Sequence, residues 1–564
     1  MADSSRVVAA VDFGTHGTGF AWSLRNDPKH TVFYYDQWPG QPAAYPKNLS
    51  ALLLDADGMV VAWGYEARRR RLADATDENL DYRAHFKIAL LPDGAANGDG
   101  DRRKSEPSAI ELTALCLREV YRVAIKEIVT RTAITPDEVE WLLTVPAIWG
   151  DRERHLMRTA AEIAGFSGVR LSLVTEPEAA ALDCWQDPAF EDLAQPGRRF
   201  VVVDAGSGTV DITSYEVVGT DDRPRLAGLG VPTGAALGAG DLDREFIRGI
   251  VRARLGQALA WEMAADGASR IALLDDWERA KRDFDPRRGG PLNVTLPPKV
   301  LRKLYVEDDR SRAALAAAQG GVDDSIVLSP GEVRSLFDKT ITPMIALVAE
   351  HIRALPRGTP PSLLLVGGFA QSHYLQDRFR QAFSGIVTQV LTAPRPAHAV
   401  LFGAVRSGLE GVVVSRPSQF TYGIAVRRRF HEHSDQLRRM HIDEDGDLWC
   451  EDAFAVLVTM GQQVVVGHEI SQQFCPSDSD TASLGIRLFQ TKNPRPRYID
   501  EPGSEHLLTI DIDIRGTVGE PIAKRKITVT LVFGLVELAM RVLDRNTGVE
   551  QRASMNYLIE EAAE

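Results

Sequence analysis

The sequence predicts an α/β protein built from two similar half-domains and followed by an all-β domain. Three observations support this prediction: one segment is restated 192 positions further along the chain, strands alternate with helices up to about Gly408, and only short alternating runs follow. The chain has 564 residues, whereas a single hydrophobic core stops growing at roughly 250 to 300 residues. At least two domains are therefore expected.

The restated segment is the most informative of these observations. Val8–Thr18 and Val201–Asp211 each contain an apolar run, an Asp, and a turn rich in Gly, Thr and Ser. An alternating run follows each turn, so each copy predicts a β-hairpin. We expect each hairpin to open one lobe, with the lobes spanning about 1–195 and 196–408.

Regular elements are predicted between and after the two hairpins. The apolar patterns and their Gly and Pro boundaries indicate strands at 141–145, 169–174 and 362–366 and helices at about 109–131, 151–164, 273–284, 330–355 and 372–383. The alternation of the two element types favours α/β layers. Residues 1–408 are therefore predicted to form one two-lobed domain.

The pattern changes after Gly408. Alternating runs predict strands at 454–458, 463–466, 508–514, 527–533 and 538–543. The junction Glu410–Pro417 combines an apolar triplet with Gly and Pro, which is typical of a linker, and we place the linker at 409–416. We therefore expect a β-rich domain at 417–564, in which only a terminal turn at 556–564 resembles a helix.

Composition excludes several classes of protein. The chain is 44% apolar and 25% charged, which is typical of a folded globular protein, and its net charge of -13 argues against nucleic acid as a partner. Its four cysteines show no metal-like spacing, which indicates reduced thiols. No run is long and apolar enough for a membrane span or a signal peptide, so we expect no membrane partner and a cytoplasmic location.

The two hairpin turns predict phosphate chemistry. Glycines in a tight turn allow backbone N–H groups to approach an anion, and the neighbouring hydroxyls add donors. Asp12 and Asp204, which precede the turns, are suited to a divalent cation. A single Asp-Gly turn is most often only a hairpin. Two matched copies that open two lobes favour a polyphosphate held between them with Mg²⁺.

A family resemblance rests on five motifs that occur in order along the chain. They are Asp12-Phe-Gly-Thr15, Val145-Pro-Ala-Ile-Trp149 with Ala160–Gly165, Glu176-Pro-Glu-Ala-Ala-Ala181, Asp204–Asp211 and Leu365-Val-Gly-Gly-Phe369. This set resembles the 70-kilodalton heat-shock chaperones, within the actin and sugar-kinase superfamily. Further details, such as Thr421-Tyr-Gly423 and Phe474-Cys-Pro476, resemble most the divergent branch named heat-shock 70 kDa protein 12.

The resemblance implies a fold. It implies a duplicated actin-like, ribonuclease H-like ATPase domain with two lobes, followed by a β-sandwich-like domain. The chaperones' helical lid is expected to be absent, because the sequence after the β-rich region contains no long amphipathic helix.

The resemblance also implies the site and its cofactors, ATP or ADP with Mg²⁺. The implied catalytic residues are Glu176, Asp204, Asp12, Arg68 and Asp211, and Mg²⁺ is expected at Asp12 and Asp204 through water. The implied cofactor-binding residues include Gly14, Thr15, His16, Gly206, Ser207, Gly208, Thr209 and Gly240, of which Thr15, Ser207, Gly208 and Thr209 would cradle the phosphates. The implied nucleoside-binding residues are Glu278, Lys281, Arg282, Gly367, Gly368 and Phe369. Without the resemblance, the charged residues at 278, 281 and 282 would be interpreted as a solvated helix face.

Two departures from the family pattern bear on activity. Ser207 stands where these chaperones usually have Gly, and Arg68 is expected where they have a catalytic lysine. Because a planar guanidinium is bulkier than an ammonium group, hydrolysis is expected to be slow. Phe369, Ala370 and Gln371 also change the base pocket.

Three functions follow as hypotheses. The leading hypothesis is an ATP-binding chaperone-like protein whose slow, Mg-dependent hydrolysis is coupled to binding of a polypeptide client or a dedicated protein partner through residues 417–564. An alternative is a nucleotide-sensing interaction protein with little or no ATPase activity. A third is a small-molecule kinase of the same superfamily, since fold alone does not fix function.

Overall fold

A computed structural model describes residues 5–73, 77, 79–91, 107–166, 170–185, 187–220, 223–443, 446–534 and 537–554. The chain divides into two compact units. The first unit comprises Met1–Trp149, Leu156–Pro224 and Pro232–Val412, and the second comprises Gly150–His155, Arg225–Val231 and Val413–Glu564. The predicted terminal turn at 556–564 lies outside the described residues.

The first sheet of unit 1 is built on the N-terminal hairpin. Its strand order is Phe33–Tyr34, Gly17–Leu24, Val7–Phe13, Val139–Val145 and Leu171–Thr175, with Asn48–Leu49 also paired to Gly17–Leu24. The hairpin strands are antiparallel, and the strands that follow them are parallel. The fully buried central strand contains only β-branched, small or aromatic residues before Asp12, as expected for a strand covered on both faces.

The second sheet of unit 1 repeats this plan. Its strands are Val390–Thr392, Ser362–Val366, Arg199–Ala205 and Val210–Thr220, with Thr233–Ala235 paired to the last of these. The hairpin strands are antiparallel, and Ser362–Val366 runs parallel to Arg199–Ala205. Asp12 lies opposite Gly19 in the first hairpin, and Asp204 lies opposite Asp211 in the second. The two predicted hairpins therefore place their aspartates at corresponding strand ends.

Two smaller sheets complete the strands of unit 1. Ala51–Leu54 pairs with Val60–Trp63 and with Asp81–Ala84, and Leu292–Thr295 pairs with Ser325–Leu328.

Helices surround these sheets. They are Gly64–Ala73, Ala109–Thr132, Asp151–Ala164, Glu176–Cys184, Ala239–Glu245, the π-helix Phe246–Val251, Arg252–Leu255, Gln257–Ala265, Gly267–Asp283, Pro298–Val306, Asp309–Ala318, Pro330–Ala354, His373–Ala382 and Ala399–Glu410. Within the described ranges, none of these helices has both the length and the apolar character that a membrane crossing requires.

The sequence patterns located most of the long helices correctly. The helix predicted at 273–284 begins earlier, at Gly267, because the Asp266 carboxylate accepts a hydrogen bond from the Ser269 N–H at 3.1 Å. This is an N-cap that satisfies a free amide at the first turn. The predicted linker 409–416 instead contains the end of the helix Ala399–Glu410 and most of the strand Val413–Pro417.

Unit 2 contains two antiparallel sheets. One has the order Met440–Ile442, Leu448–Val458, Thr421–Arg429, Ser483–Thr491 and Ser504–Asp513, and the other has the order Glu469–Phe474, Ile527–Phe533, Leu538–Asp544 and Glu550–Ser554. A further ladder joins Val413–Pro417 to Arg223–Gly228 and Gln463–Val465.

The two sheets of unit 2 share one hydrophobic core. Ile424 and Leu488 of the first sheet belong to the same buried cluster as Val529 and Val542 of the second. Arg525, which is fully buried, donates hydrogen bonds to four backbone carbonyl groups, those of Asp478, Ser479, Thr481 and Ile514. One side chain therefore holds two connecting segments at the end of this core.

Candidate nucleotide site

A cavity of about 440 Å³ lies in unit 1, and residues from both of its large sheets line it. Its lining includes sixteen of the predicted site residues: Asp12, Gly14, Thr15, His16, Glu176, Asp204, Gly206, Ser207, Gly208, Thr209, Glu278, Lys281, Arg282, Gly367, Gly368 and Phe369. Arg68, Asp211 and Gly240 are predicted residues outside this lining.

The two hairpin turns meet at the cavity. The Gly14 N–H donates to the Gly17 carbonyl at 3.1 Å, and the Gly206 N–H donates to the Thr209 carbonyl at 2.9 Å. A Cβ atom at Gly208 would lie only 2.7 Å from the Thr15 hydroxyl oxygen. The turns are therefore in direct contact, and a side chain at position 208 would force them apart.

The second turn rests on the segment that contains Gly240. The Ala239 N–H donates to the Gly206 carbonyl, and the Gly240 N–H donates to the Ser207 carbonyl at 2.9 Å. Gly240 therefore supports the turn from behind instead of lining the cavity.

Four carboxylates gather at this end of the cavity: Asp12, Asp204, Asp211 and Glu176. The Asp12 Oδ1 atom accepts a hydrogen bond from the Thr144 hydroxyl at 3.1 Å. The Asp211 Oδ1 atom accepts one from the Ile148 N–H at 2.9 Å, so Asp211 is held just behind the cavity surface.

Burial and mutual repulsion make these carboxylates hard to ionise together. Burial, followed by the charges of Glu176 and Asp211, raises the pKa of Asp204 well above its ordinary value. Burial and the Glu176 charge raise the pKa of Asp211 to about 7. The cluster is therefore a site that favours added positive charge.

Two lysines supply part of that charge. The Lys87 ammonium lies 2.6 Å from Glu176 Oε1 and 5.3 Å from the centre of the Trp149 ring. The Lys47 ammonium lies 2.5 Å from Asp12 Oδ2. Sequence reasoning identified neither lysine. A signal existed for Lys87, which interrupts the apolar run from Phe86 to Leu91.

The structure corrects the position expected for Arg68. Its guanidinium pairs with Asp275 Oδ1 at 2.8 Å and lies 5.2 Å from the centre of the Tyr65 ring. Arg68 lines a neighbouring cavity instead of the carboxylate cluster. The helix Gly64–Ala73 directs the side chain there, and Lys87 provides the cation beside Glu176.

The opposite end of the cavity is formed by the helix Gly267–Asp283. Lys281 is almost fully buried and contacts both Asp243 Oδ1 at 2.8 Å and Glu278 Oε2 at 2.5 Å. Burial alone would raise the pKa of Glu278, but its neighbours, with the Lys281 charge as the largest contribution, lower it to about 2. The indole N–H of Trp277 also donates to Asp243, a residue that sequence reasoning missed. The three predicted charged residues therefore form one ion-pair network.

His16 lies between the two ends. Its ring centre is 5.9 Å from that of His85. Burial lowers the pKa of both imidazoles, that of His85 to about 4. Both rings are therefore neutral at pH 7 and act as neutral polar groups.

The strand Ser362–Val366 brings Gly367, Gly368 and Phe369 to the cavity. Gly367 has a φ of 88°, and a Cβ atom there would lie 2.3 Å from Asp204 Oδ1. Phe369 is buried, and its ring lies 6.1 Å from that of Phe337. Gly367 therefore allows the chain to pass directly over the Asp204 carboxylate.

The donor set fits a divalent cation. Carboxylate oxygens are the ligands that Mg²⁺ prefers, and the raised pKa values of Asp204 and Asp211 show that added positive charge would help the four carboxylates to ionise together. In the described part of the chain, no three acidic, histidine or cysteine side chains are close enough to hold a metal directly. Water or phosphate oxygens would therefore complete its coordination.

Comparison with known proteins agrees with the motifs. The family described as Hsp70 protein matches residues 74–285. Human heat shock 70 kDa protein 12B is 28% identical over 643 residues, which cover 98% of this chain and 91% of that protein. Human heat shock 70 kDa protein 12A is 26% identical over 626 residues, with the same coverage of both chains. Chaperone protein DnaK of Thermoplasma volcanium is 31% identical over 387 residues, which cover 67% of this chain and 56% of DnaK.

The alignments to the two human proteins extend over nearly the whole chain and include both structural units. The chain belongs to the 70-kilodalton heat-shock protein family, in the divergent branch that heat shock 70 kDa proteins 12A and 12B represent.

Proposed function

We propose that this protein is an ATP-binding, chaperone-like protein that uses the actin-like, two-lobed fold of its family. The observation that supports this most directly is the contact between the turns at Thr15 and Gly208, one from each sheet. Backbone amides that converge from two turns form a cradle for phosphate oxygens. The carboxylate cluster lies directly beside this cradle.

Slow hydrolysis of ATP is the proposed reaction. Transfer of a phosphoryl group to water requires mainly positioning and charge compensation, with little covalent chemistry from the protein. Glu176 and Asp211 orient the attacking water, and the Lys87 ammonium compensates charge on the phosphoryl oxygens. Bound Mg²⁺, held through water by Asp12 and Asp204, would neutralise phosphate charge.

The nucleoside is proposed to lie at the other end of the cavity. Glu278, Lys281 and Arg282 supply polar contacts there, and the backbone at Gly367 and Gly368 leaves room for a planar base. Phe369 contributes an apolar edge, and Gln371 is an exposed amide at the rim.

We further propose that the nucleotide state controls binding of a polypeptide client or a dedicated partner by residues 417–564. Such control requires a coupling free energy between two sites, typically about 1 to 3 kcal/mol. The ion pair between Lys47 and Asp12 favours a second candidate, a nucleotide-sensing protein with little turnover, because it engages a carboxylate assigned to the metal.

Titration calorimetry with Mg-ATP and Mg-ADP, followed by a single-turnover assay on the same sample, tests the proposal. We expect binding of both nucleotides and slow release of phosphate. Binding without phosphate release would favour the nucleotide-sensing protein. Absence of binding would contradict both candidates.

A further inference from the structure

Lys47 is a second ammonium group in the cavity, on a partly buried side chain, and the proposed reaction does not use it. It lies next to the strand Asn48–Leu49, in which Leu49 pairs with Gly17 and Asn48 pairs with Thr18. A Cβ atom at Gly19 would lie 2.2 Å from the Pro46 carbonyl oxygen and 3.2 Å from Lys47 Cγ. The segment that contains Lys47 therefore lies directly on the first hairpin.

The other side of this segment is also fixed. Asn48 is almost fully buried, and its Oδ1 atom accepts hydrogen bonds from the N–H groups of Leu49 at 2.9 Å and Tyr65 at 2.8 Å. Gly64 has a φ of 65°, and a Cβ atom there would lie 2.1 Å from Asn48 Oδ1. Two close backbone approaches therefore hold Lys47 in place, which distinguishes it from a flexible surface lysine.

The ammonium group of Lys47 is directed at Asp12. The two charged atoms are 2.5 Å apart, and the side chains are 17% and 3% exposed. Because Thr144 donates to the other oxygen of Asp12, both oxygens of this carboxylate already have partners.

A covalently attached cation therefore lies where the family's metal-binding chemistry is expected. We propose that Lys47 supplies part of the charge compensation that a divalent cation provides at Asp12, so that nucleoside polyphosphates bind to this chain with only weak dependence on Mg²⁺. This inference rests on the proposed function of the cavity. It predicts a property of nucleotide binding that is separate from turnover.

The physical reason is the charge balance. A nucleoside polyphosphate adds several negative charges to a cluster of four carboxylates, and uncompensated buried charges of one sign are strongly unfavourable. A divalent cation must be recruited from solution and partly dehydrated, whereas Lys47 is already in position. Without the Lys47 charge, nucleotide binding should therefore depend more strongly on Mg²⁺.

The test measures ADP affinity by titration calorimetry in excess Mg²⁺ and in excess chelator. We expect the wild-type protein to lose less than about tenfold in affinity on chelation, and Lys47→Met to lose about a hundredfold or more. Lys299→Met is a matched control, because Lys299 is an exposed lysine that pairs with Asp266, outside the cavity lining. It should behave as the wild type does.

Lys47→Arg separates charge from packing, because it keeps the cation and changes its shape. We expect this variant to retain weak dependence on Mg²⁺. Equal sensitivity to chelation in wild type and Lys47→Met would overturn the inference while leaving nucleotide binding intact. An arginine variant as sensitive as the methionine variant would also overturn it. Failure of the wild type to bind ADP in either condition would overturn the proposed function, and this inference with it.

Discussion

Lys87 and Glu176 form a buried ion pair of 2.6 Å beside the carboxylate cluster, although they come from separate elements of unit 1. Their side chains are 4% and 14% exposed. Partners in a buried pair depend on each other, because removing one leaves an uncompensated charge. The pair therefore links Glu176, which we assign to orientation of the attacking water, to Lys87, which we assign to charge compensation on the phosphoryl oxygens.

Lys87→Met is expected to abolish most turnover without abolishing binding. The substitution removes a charge that compensates the phosphoryl oxygens, so single-turnover hydrolysis of ATP should fall by about a hundredfold or more. ADP affinity should change by less than about tenfold, because the turn amides remain. Lys299→Met, on the surface, should change neither quantity. Unchanged hydrolysis in Lys87→Met would contradict our assignment.

Arg68→Ala is expected to have a small effect on nucleotide release. Arg68 forms a partly exposed ion pair with Asp275, and such pairs contribute up to about 1 kcal/mol. Release of a fluorescent ADP analogue, followed by stopped flow, should accelerate by no more than about fivefold. Arg279→Ala, which removes a surface pair with Asp276 on the same helix, is the control. Loss of turnover in Arg68→Ala would restore Arg68 to the catalytic group.

Gly367→Ala is expected to destabilise unit 1 by about 1 to 3 kcal/mol, because alanine at a φ of 88° is strained and its Cβ would meet the Asp204 carboxylate. Chemical denaturation followed by tryptophan fluorescence measures the loss. Gly368→Ala is the control, since its φ is -63° and no atom lies within 4 Å of the added Cβ. Similar stability of the two variants would argue against this close approach.

Asp211 should make the nucleotide-free protein less stable as pH rises. Burial and Glu176 raise its pKa from 3.8 to about 7 in the folded state, so the folded protein binds its proton more tightly than the unfolded chain does. This contribution to stability is complete below about pH 4 and is lost as the pH rises through about 7. Asp211→Asn should therefore increase the melting temperature more at pH 8 than at pH 5. An increase independent of pH would contradict the assignment.

Arg525→Met is expected to destabilise unit 2 by on the order of 3 kcal/mol, because four buried carbonyl groups would lose their donor. Arg515→Met, at an exposed position, should be nearly neutral. Hydrogen exchange of amides near residues 478–481 would report the local loss. Unaltered exchange there would indicate that other contacts hold this segment.

The sequence predicted what depends on local pattern. Each hairpin was recognisable because a β-branched run, an aspartate and a glycine turn are adjacent in the chain, and the strand Ser362–Val366 was bounded by Pro361 and Gly367. The residues predicted in these turns line one cavity for the same reason. The helix start at Gly267 was missed, although the residue before it, Asp266, is of a type that favours the N-cap position.

The residues that were missed depend on distant packing. Lys47 and Lys87 reach the carboxylates only because their segments pack against strands from other parts of the chain. Arg68, on the helix Gly64–Ala73, pairs with Asp275, a residue far away in sequence, and does not line the cavity with the carboxylates. The spacing of residues along the chain does not indicate these ion pairs between distant segments.

The contact between Thr15 and Gly208 has a consequence for biosynthesis. The first turn leaves the ribosome long before the second, so an incomplete chain that ends before Gly208 contains only half of the phosphate cradle. Nucleotide cannot stabilise such a nascent chain through both turns. The first hairpin must therefore be stabilised by packing within its own sheet. If the cavity binds nucleotide as we propose, that binding would begin only after the second hairpin has been synthesised and has folded against the first.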